Sequence, residues 1–289
     1  MLRLSLKESR PAVLMAFQLR YSAGVALAVP AAPIGTSLPV LPVLLGAFSW
    51  FCAIFYTYLY NGCTDVREDR VNGSRRPIAG GRLPLDAALA VARGALCAAL
   101  VSAALAGLGT LLLCAVLLLL GHAYSAPGTA WKNRTSRAMG TVLFSGLLTY
   151  CAGPVALGVP PHVPTLLVVS VAMSLWMALV GAVAKDLSDI AGDTAVGRRT
   201  WAVTLGERRT RALVAAGALA VGLGFTGAAL LWAPALLATA LVVLVGGAAV
   251  AAVTLWGGSG SPGARRRPYR LFMLTQHLAH AALLGQAVV

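Results

Sequence analysis

Acidic residues are concentrated in two short segments of this chain, which holds nine of them in total. The first acidic segment, residues 61–69, places Asn61, Asp65 and Asp69 at positions i, i+4 and i+8, so that all three fall on one face of a helix. Scattered solvated charges have no reason to repeat at helical spacing. The first acidic segment is therefore predicted to present a row of oxygen ligands.

The second acidic segment, residues 186–193, places Asp186, Asp189 and Asp193 at i, i+3 and i+7. Two such groups of carboxylates in a partly desolvated site would repel each other unless a divalent cation or a raised pKa relieved the repulsion. Because the predicted ligand faces carry no His or Cys, we expect Mg²⁺, which typically takes one or two carboxylates together with waters and phosphate oxygens. The alternative, that the aspartates only cap helix ends, explains one segment more easily than two matching segments.

Basic residues near the acidic segments are suited to bind the remaining oxygens of a diphosphate, because Arg offers a planar fork of donors and Lys a compact charge. The predicted diphosphate-binding residues of this kind are Arg75, Arg76, Lys132 and Lys185. Other basic residues, Arg198 among them, are explained by membrane topology alone. The spacing thus favours a metal-dependent site for a diphosphate substrate.

The elements that carry these residues are long apolar helices. Of 289 residues, 58% are hydrophobic and 11% are charged, far below the roughly 25% of ordinary soluble domains. Apolar stretches of about 20 residues predict an all-α membrane protein with about nine transmembrane helices in a single domain over residues 1–289. We place the helices near 11–31, 39–61, 85–106, 108–124, 137–158, 163–185, 209–231, 234–256 and 269–288.

The basic residues also predict an orientation in the cell membrane. Lys and Arg are concentrated at the N-terminus and in alternate connections, at 67–82, 132–137, 198–211 and 265–270. The positive-inside rule then places the N-terminus and both acidic segments in the cytoplasm, and an odd number of spans leaves the C-terminus outside. No cleaved signal peptide is expected. The net charge of +14 is explained by topology and anionic lipid headgroups, so no nucleic-acid partner is expected.

Taken in order, these residues resemble the paired signatures of the UbiA-type intramembrane prenyltransferases. The matching features are Asn61-x₃-Asp65-x₃-Asp69, Arg76-Pro-Ile-Ala-Gly80, Lys185-Asp-x₂-Asp189-x₃-Asp193, Gly197-Arg-Arg-Thr200 and Leu205-Gly206. Tyr124 and Ser125, with Lys132, resemble a third family marker that adds to the predicted diphosphate site. One departure is Gly62, because many relatives carry a further aspartate at that position although others lack it.

The resemblance implies helices surrounding a central cavity, two Mg²⁺ ions and an apolar tunnel open to lipid for the prenyl chain. It assigns Asn61, Asp65 and Asp69, and Asp186, Asp189 and Asp193, as metal or diphosphate ligands. The expected reaction is prenyl transfer from a prenyl diphosphate to a small hydrophobic acceptor, aromatic or quinone-like, through an allylic carbocation. Asp189, Lys185 and Arg76 are the predicted catalytic residues, with Asp189 orienting the acceptor or accepting its proton.

Two other functions remain open at this stage. A terpene cyclase of the same fold would begin with the same ionisation and capture the cation with the prenyl chain itself, without an acceptor. A membrane transporter would also have many apolar helices, but its acidic residues should lie near helix midpoints rather than at helix ends beside basic loops. Product analysis with a prenyl diphosphate alone separates cyclisation from transfer.

Overall fold

The computed structural model of the chain describes residues 1–31, 37–257 and 261–288. Within these ranges the chain is helical and forms no strand, apart from an isolated bridge between Arg134 and Arg199. The α-helices are α1 Leu2–Glu8, α2 Pro11–Ala28, α3 Val40–Thr64, α4 Val66–Val71, α5 Leu85–Ala106, α6 Leu108–Ser125, α7 Thr135–Leu157, α8 Val163–Leu175, α9 Val183–Ala195, α10 Trp201–Thr204, α11 Glu207–Trp232, α12 Leu237–Trp256, α13 Pro262–Arg265 and α14 Arg267–Val288. A π-helix, Trp176–Ala182, joins α8 to α9.

The predicted helices are all present, and most of them are apolar enough to cross a membrane. Among the described residues, seven helical stretches reach the necessary length and hydropathy: Val40–Thr64, Leu85–Ala106, Leu108–Ser125, Thr135–Leu157, Val163–Ala195, Glu207–Trp232 and Pro234–Trp256. Helices α2 and α14 do not belong to this set. Gln18 and Arg20 lower the hydropathy of α2, and Arg270, Gln276 and His277 lower that of α14. The multi-pass membrane fold is thus confirmed, whereas the count of nine spans stays a prediction.

The chain divides into two compact units. The first unit contains residues 1–132 and 148–161, and the second unit contains residues 133–147 and 162–289. Helix α7 contributes its first part to the second unit and its last part to the first, so the units are not successive segments of the chain. The first acidic segment belongs to the first unit, and the second acidic segment belongs to the second.

In the first unit, α3 packs closely against α5 because small residues line the contact. The buried face of α5 is a row of alanines at helical spacing: Ala88, Ala92, Ala95, Ala99 and Ala103. Small side chains let two helix backbones approach closely within a bilayer. The hydroxyl of Ser49 on α3 donates to the carbonyl oxygen of Ala99 at 2.9 Å. This packing fixes the helix whose C-terminal end carries Asn61.

In the second unit, the π-helix packs against α14. Trp176 Nε1 donates to the carbonyl oxygen of Phe272 at 3.4 Å, and the centroids of the two rings lie 5.8 Å apart. Gly181 faces the Phe272 ring so closely that a Cβ at position 181 would lie 2.7 Å from two ring carbons. Short π-helical turns within α-helices are rare and occur frequently at functional sites. Here the turn comes directly before α9, which carries the second acidic segment.

Candidate active site

The first acidic segment spans the junction of α3 and α4. Asn61 lies in the last turn of α3, Asp65 lies between the helices, and Asp69 lies in α4. Helix α3 therefore runs three residues past the predicted end near residue 61, and the helical segment is interrupted at Asp65. Its hydrogen-bond pattern nevertheless continues, because the Asp65 amide donates to the Asn61 carbonyl at 3.0 Å and the Asp69 amide donates to the Asp65 carbonyl at 2.9 Å. Helical spacing between the three side chains is thus retained across the break.

A capping role does not explain the Asp65 carboxylate. Asp65 occupies the position before the first turn of α4, but its side chain makes no capping hydrogen bond to that helix. It instead forms an ion pair with Lys132, whose Nζ also donates to Thr64 Oγ1 at 2.6 Å. Asp65 and Lys132 are both buried. The carboxylate is therefore held by a residue far away in sequence.

The neighbouring residues of the first segment are held in the same way. Asn61 Nδ2 donates to the buried Ser125 Oγ at 3.2 Å, so the amide oxygen of Asn61 is the atom that could bind a metal. Arg76 Nη1 donates to Asp69 Oδ2 at 2.8 Å. The structure thus places Ser125, Lys132 and Arg76, all predicted to bind a diphosphate, in direct contact with the first acidic segment.

Glu8 is a member of this site that the sequence analysis missed. It is fully buried at the end of α1, and its Oε1 forms a 2.7 Å ion pair with Arg76 Nε. Its Oε2 accepts a hydrogen bond from the Ile78 amide at 2.9 Å. The available signal was an acidic residue within an otherwise basic N-terminal segment, which composition alone does not connect to residues 61–78.

The second acidic segment lies entirely within α9. Lys185 Nζ forms an ion pair of 2.7 Å with Asp189 Oδ2, and Ser188 Oγ donates to Asp189 Oδ1 at 2.9 Å. Thr135 Oγ1 donates to Asp186 Oδ2 at 3.0 Å. These contacts hold two carboxylates of the segment through residues of the second unit.

The last carboxylate of the second segment is the most deeply buried of the three. Asp193 is 2% exposed and accepts hydrogen bonds from Arg198 Nη1 and Thr200 Oγ1, both at 3.2 Å. The interpretation of Arg198 as a topology charge alone was wrong, because Arg198 is buried and ion-paired. Burying an arginine requires a partner charge, and Asp193 supplies it.

Two predicted residues lie at the edge of these contacts. The Arg75 side chain is exposed, and its carbonyl oxygen accepts a hydrogen bond from Arg82 Nη2 at 2.8 Å. Tyr124 lies half-buried in the last turn of α6, next to Ser125. Arg75 therefore lies in the loop after α4, and Tyr124 is adjacent in sequence to Ser125, which contacts Asn61.

The chain itself supplies a partner cation to four of the five aspartates in the two acidic segments. The pairs are Asp65 with Lys132, Asp69 with Arg76, Asp189 with Lys185 and Asp193 with Arg198. In the described part of the chain, no group of three or more His, Cys, Asp or Glu side chains is close enough to hold a metal ion. The hard oxygen donors still fit Mg²⁺, because that ion needs only one or two carboxylates when phosphate oxygens and waters complete its shell.

An apolar cavity of about 480 Å³ lies between α8 and α11 in the second unit. Its lining residues are all aliphatic, aromatic or glycine, and they include Leu179, Gly224, Phe225 and Trp232. Leu179 belongs to the same helical stretch as Asp186, about 10 Å along it at 1.5 Å per residue. The cavity therefore begins about two helical turns from the second acidic segment.

Comparisons with known proteins agree with these features. The model of the UbiA prenyltransferase family matches residues 21–275. Somaliensene A/B synthase from Streptomyces somaliensis is 33% identical over a match that covers 65% of this chain and 62% of the synthase. The chloroplastic 2-acylphloroglucinol 4-prenyltransferase from Humulus lupulus is 30% identical over a match that covers 58% of this chain and 43% of the transferase. The matches thus span less than two thirds of each relative. A solved UbiA homologue from Archaeoglobus fulgidus, bound to GPP and Mg²⁺, superposes with a TM-score of 0.71 at 19% identity, covering 99% of this chain and 100% of the homologue.

Proposed function

Because the chain belongs to the UbiA prenyltransferase family, we propose that it is a Mg²⁺-dependent enzyme that transfers a prenyl group from a prenyl diphosphate to a small aromatic or quinone-like acceptor. The observation that carries the proposal is the repetition of one arrangement in both units, an acidic helical segment whose carboxylates are each held by Lys, Arg or Thr. We further propose that the two acidic segments act on one diphosphate.

Mg²⁺ is proposed because the donor set is made of hard oxygens and because the Archaeoglobus homologue is bound to GPP and Mg²⁺. Asn61, Asp65, Asp69, Asp186, Asp189 and Asp193 would hold two such ions. The metal supplies positive charge that stabilises the diphosphate as it leaves. The ion pairs seen in the protein orient these carboxylates before substrate binds.

Lys132 and Lys185 have a second role in this proposal. An ammonium group is a compact charge with three donors, so it can keep its carboxylate partner and also donate to a phosphate oxygen. As the C1–O bond breaks, its electron pair leaves with the diphosphate, and these preorganised charges stabilise the developing anion. The two lysines therefore lower the barrier to ionisation as well as aligning the aspartates. Arg75, Tyr124 and Ser125 are proposed to contact the diphosphate at its periphery.

The allylic cation must then react with the acceptor before it can react with water. Apolar walls such as those of the cavity at Leu179, Gly224 and Phe225 exclude water, and we assign the prenyl chain to this cavity. The acceptor carbon attacks C1 of the cation and loses a proton. Asp189 is the proposed group that orients the acceptor or accepts that proton, because its side chain is partly exposed and is paired with Lys185.

Cyclisation without an acceptor is the second candidate function. It is favoured by the similarity to somaliensene A/B synthase, whose name describes a synthase rather than a transferase. Both reactions begin with ionisation of the diphosphate, so the aspartates and lysines above serve either one. The two functions differ only in what captures the cation.

Product analysis with purified protein tests the proposal. The protein is offered prenyl diphosphates of several lengths with Mg²⁺, with and without a panel of phenolic and quinone acceptors, and products are identified by mass spectrometry. We expect a prenylated acceptor, with diphosphate release that depends on the acceptor. A cyclic hydrocarbon formed without acceptor would show that the protein catalyses cyclisation rather than transfer. The absence of diphosphate release with every substrate would contradict both functions.

A further inference from the structure

We propose that Glu8 is a positioning residue for the first acidic segment: its carboxylate reaches from α1 into the space beside Gly62 and, through Arg76, orients Asp69. The inference rests on the proposed function, because it assigns a role within that same site. It adds a residue that lies 61 positions before Asp69 and outside both acidic segments.

Because Glu8 is buried, its carboxylate needs partners within the fold that replace water. Glu8 is 0% exposed. A carboxylate removed from water is costly unless charges and donors replace the solvent. Here Oε1 faces Arg76 Nε at 2.7 Å and Oε2 accepts from the Ile78 amide at 2.9 Å. Both oxygens are thus fixed in direction, one by a charge and one by the backbone of the loop that follows α4.

Arg76 transmits this constraint to the acidic segment. One end of its guanidinium, Nη1, donates to Asp69 Oδ2 at 2.8 Å, and Nε faces Glu8. Nη2 donates to the Glu8 carbonyl oxygen at 3.1 Å. The planar guanidinium is thus held by two hydrogen bonds and by the nearby charge of the Glu8 carboxylate, so the position of Glu8 helps to set the direction of the Asp69 carboxylate. Arg76 therefore acts on the ligand Asp69 as well as on any phosphate.

Gly62 is the reason that Glu8 can occupy this space. A Cβ at position 62 would collide with Glu8 Oε1 and would lie 2.6 Å from Arg76 Nη2. Gly62 lies in the last turn of α3, between Asn61 and the Asp65 junction, and its backbone is helical. The glycine is thus required by the neighbouring carboxylate rather than by its own backbone. The space beside Gly62 is filled by a carboxylate that comes from α1.

An exchange of the two positions tests the inference. Glu8→Ala removes the carboxylate, and Gly62→Asp adds one that collides with Glu8. We expect each single variant to lower kcat/KM by about tenfold or more and to raise the Mg²⁺ concentration for half-maximal rate, because Asp69 loses its orientation. The double variant should recover to within a few-fold of the wild type, because an aspartate at 62 then no longer meets Glu8, and Arg76, released from Glu8, can shift and pair with the new carboxylate.

Controls separate positioning from general stability. Glu207→Ala removes another glutamate that is paired with two arginines, Arg211 and Arg265, in the other unit, and it should leave the Mg²⁺ requirement unchanged. Glu8→Gln keeps the acceptor for the Ile78 amide and lacks the charge, so it should fold and still show the raised Mg²⁺ requirement. All variants are also compared by the rise in melting temperature that Mg²⁺ with inorganic diphosphate produces, which needs no turnover.

The outcomes are distinct. Reduced kcat/KM and a reduced Mg²⁺–diphosphate stabilisation in Glu8→Gln, both restored in the Glu8→Ala/Gly62→Asp double variant, support the inference. An unchanged Mg²⁺ requirement in Glu8→Gln, or a double variant no better than the worse single variant, overturns it. If the wild type turns over no prenyl diphosphate, the proposed function fails, and the melting-temperature comparison still decides whether Glu8 positions the anion and metal site.

Discussion

The two acidic segments hold their carboxylates by different means. In the first segment Asp65 is held by Lys132, 67 residues away, and Arg76, which follows Asp69 by seven residues, is itself held by Glu8, 68 residues away. In the second segment the charged partners are local, since Lys185 precedes Asp189 by four residues and Arg198 follows Asp193 by five. The first site therefore depends on how the helices of its unit pack, whereas the second is largely built by one helix and the turn after it.

This difference teaches that matching sequence motifs do not imply matching structural support. A local ion pair on a helix forms whenever the helix forms, and it contributes little to stability when it is partly exposed. A buried pair between distant segments is lost with any change in packing, and its breakage leaves an uncompensated charge. Substitution of the paired lysines should therefore change the stability of the protein differently in the two segments. Removal of the proposed metal or substrate should affect the activity of both segments alike.

The largest expected effect treats both segments alike. Removal of divalent cations with excess EDTA should abolish turnover of the prenyl diphosphate, because neither set of carboxylates can then bind the leaving group. Mg²⁺ should restore activity, and Mn²⁺ should do so in part because it shares the preference for oxygen ligands. Circular dichroism on the same samples checks that the helices persist. Full turnover in EDTA, with metal content measured, would remove the metal from the mechanism.

Neutralising one aspartate in each segment should have the next largest effect. Asp65→Asn and Asp189→Asn keep the size of the side chain and remove its charge, and each is expected to lower kcat/KM by on the order of a hundredfold. Asp65→Asn should also lower the melting temperature, because it leaves the buried Lys132 without its counter-charge. Asp189→Asn should not, since Lys185 is partly exposed. Equal melting temperatures for the two variants would contradict the contrast between distant and local support.

The lysine partners sharpen the same contrast. Lys132→Met should destabilise the protein by about 3 kcal/mol, because it leaves Asp65 buried without its cation. Lys185→Met should cost about 1 kcal/mol or less, because the Lys185–Asp189 pair is partly exposed to solvent. Thermal unfolding of both variants in one detergent measures the difference. A larger loss of stability for Lys185→Met than for Lys132→Met would contradict the claim that the buried long-range pair stabilises the protein more than the local pair.

The smallest expected effect concerns the apolar cavity of the second unit. A Cβ at Gly224 would meet no atom within 4 Å, so Gly224→Leu fills the cavity without a backbone clash. If the prenyl chain lies there, the variant should lose a few-fold more activity with long prenyl diphosphates than with short ones. Gly227→Leu on the same helix is the matched control, because a Cβ at Gly227 also meets no atom within 4 Å and Gly227 does not line the cavity. Equal losses at all chain lengths would place the chain elsewhere.

Much of the fold could be predicted from the sequence because each helix is a long apolar stretch with polar ends. The interruption at Asp65 was not predicted, since the spacing of Asn61, Asp65 and Asp69 is the same in a straight helix and in one that breaks between hydrogen-bonded turns. The π-helix was also missed. It depends on how Trp176 and Gly181 pack against Phe272, 96 residues after Trp176, which a hydropathy pattern cannot indicate.

The candidate site was predictable in its acidic residues and less so in their partners. Helical spacing identifies carboxylates that share a face, because that relation is local. Tertiary packing determines that Lys132 pairs with Asp65 and that Glu8 pairs with Arg76. Residue spacing in the sequence therefore cannot predict these pairs. Arg198 was misassigned for the same reason, since its charge fits the topology rule equally well whether the side chain is exposed or buried.

The most direct test of the central claim is the double variant Asp65→Asn/Asp189→Asn, measured for prenyl diphosphate turnover beside both single variants. If the two segments act on one diphosphate, the double variant should lose clearly less kcat/KM than the product of the two single losses, because each single change already disables the shared assembly. A double loss equal to that product, or a single variant with near-wild-type turnover, would contradict the claim that the two segments work as one site.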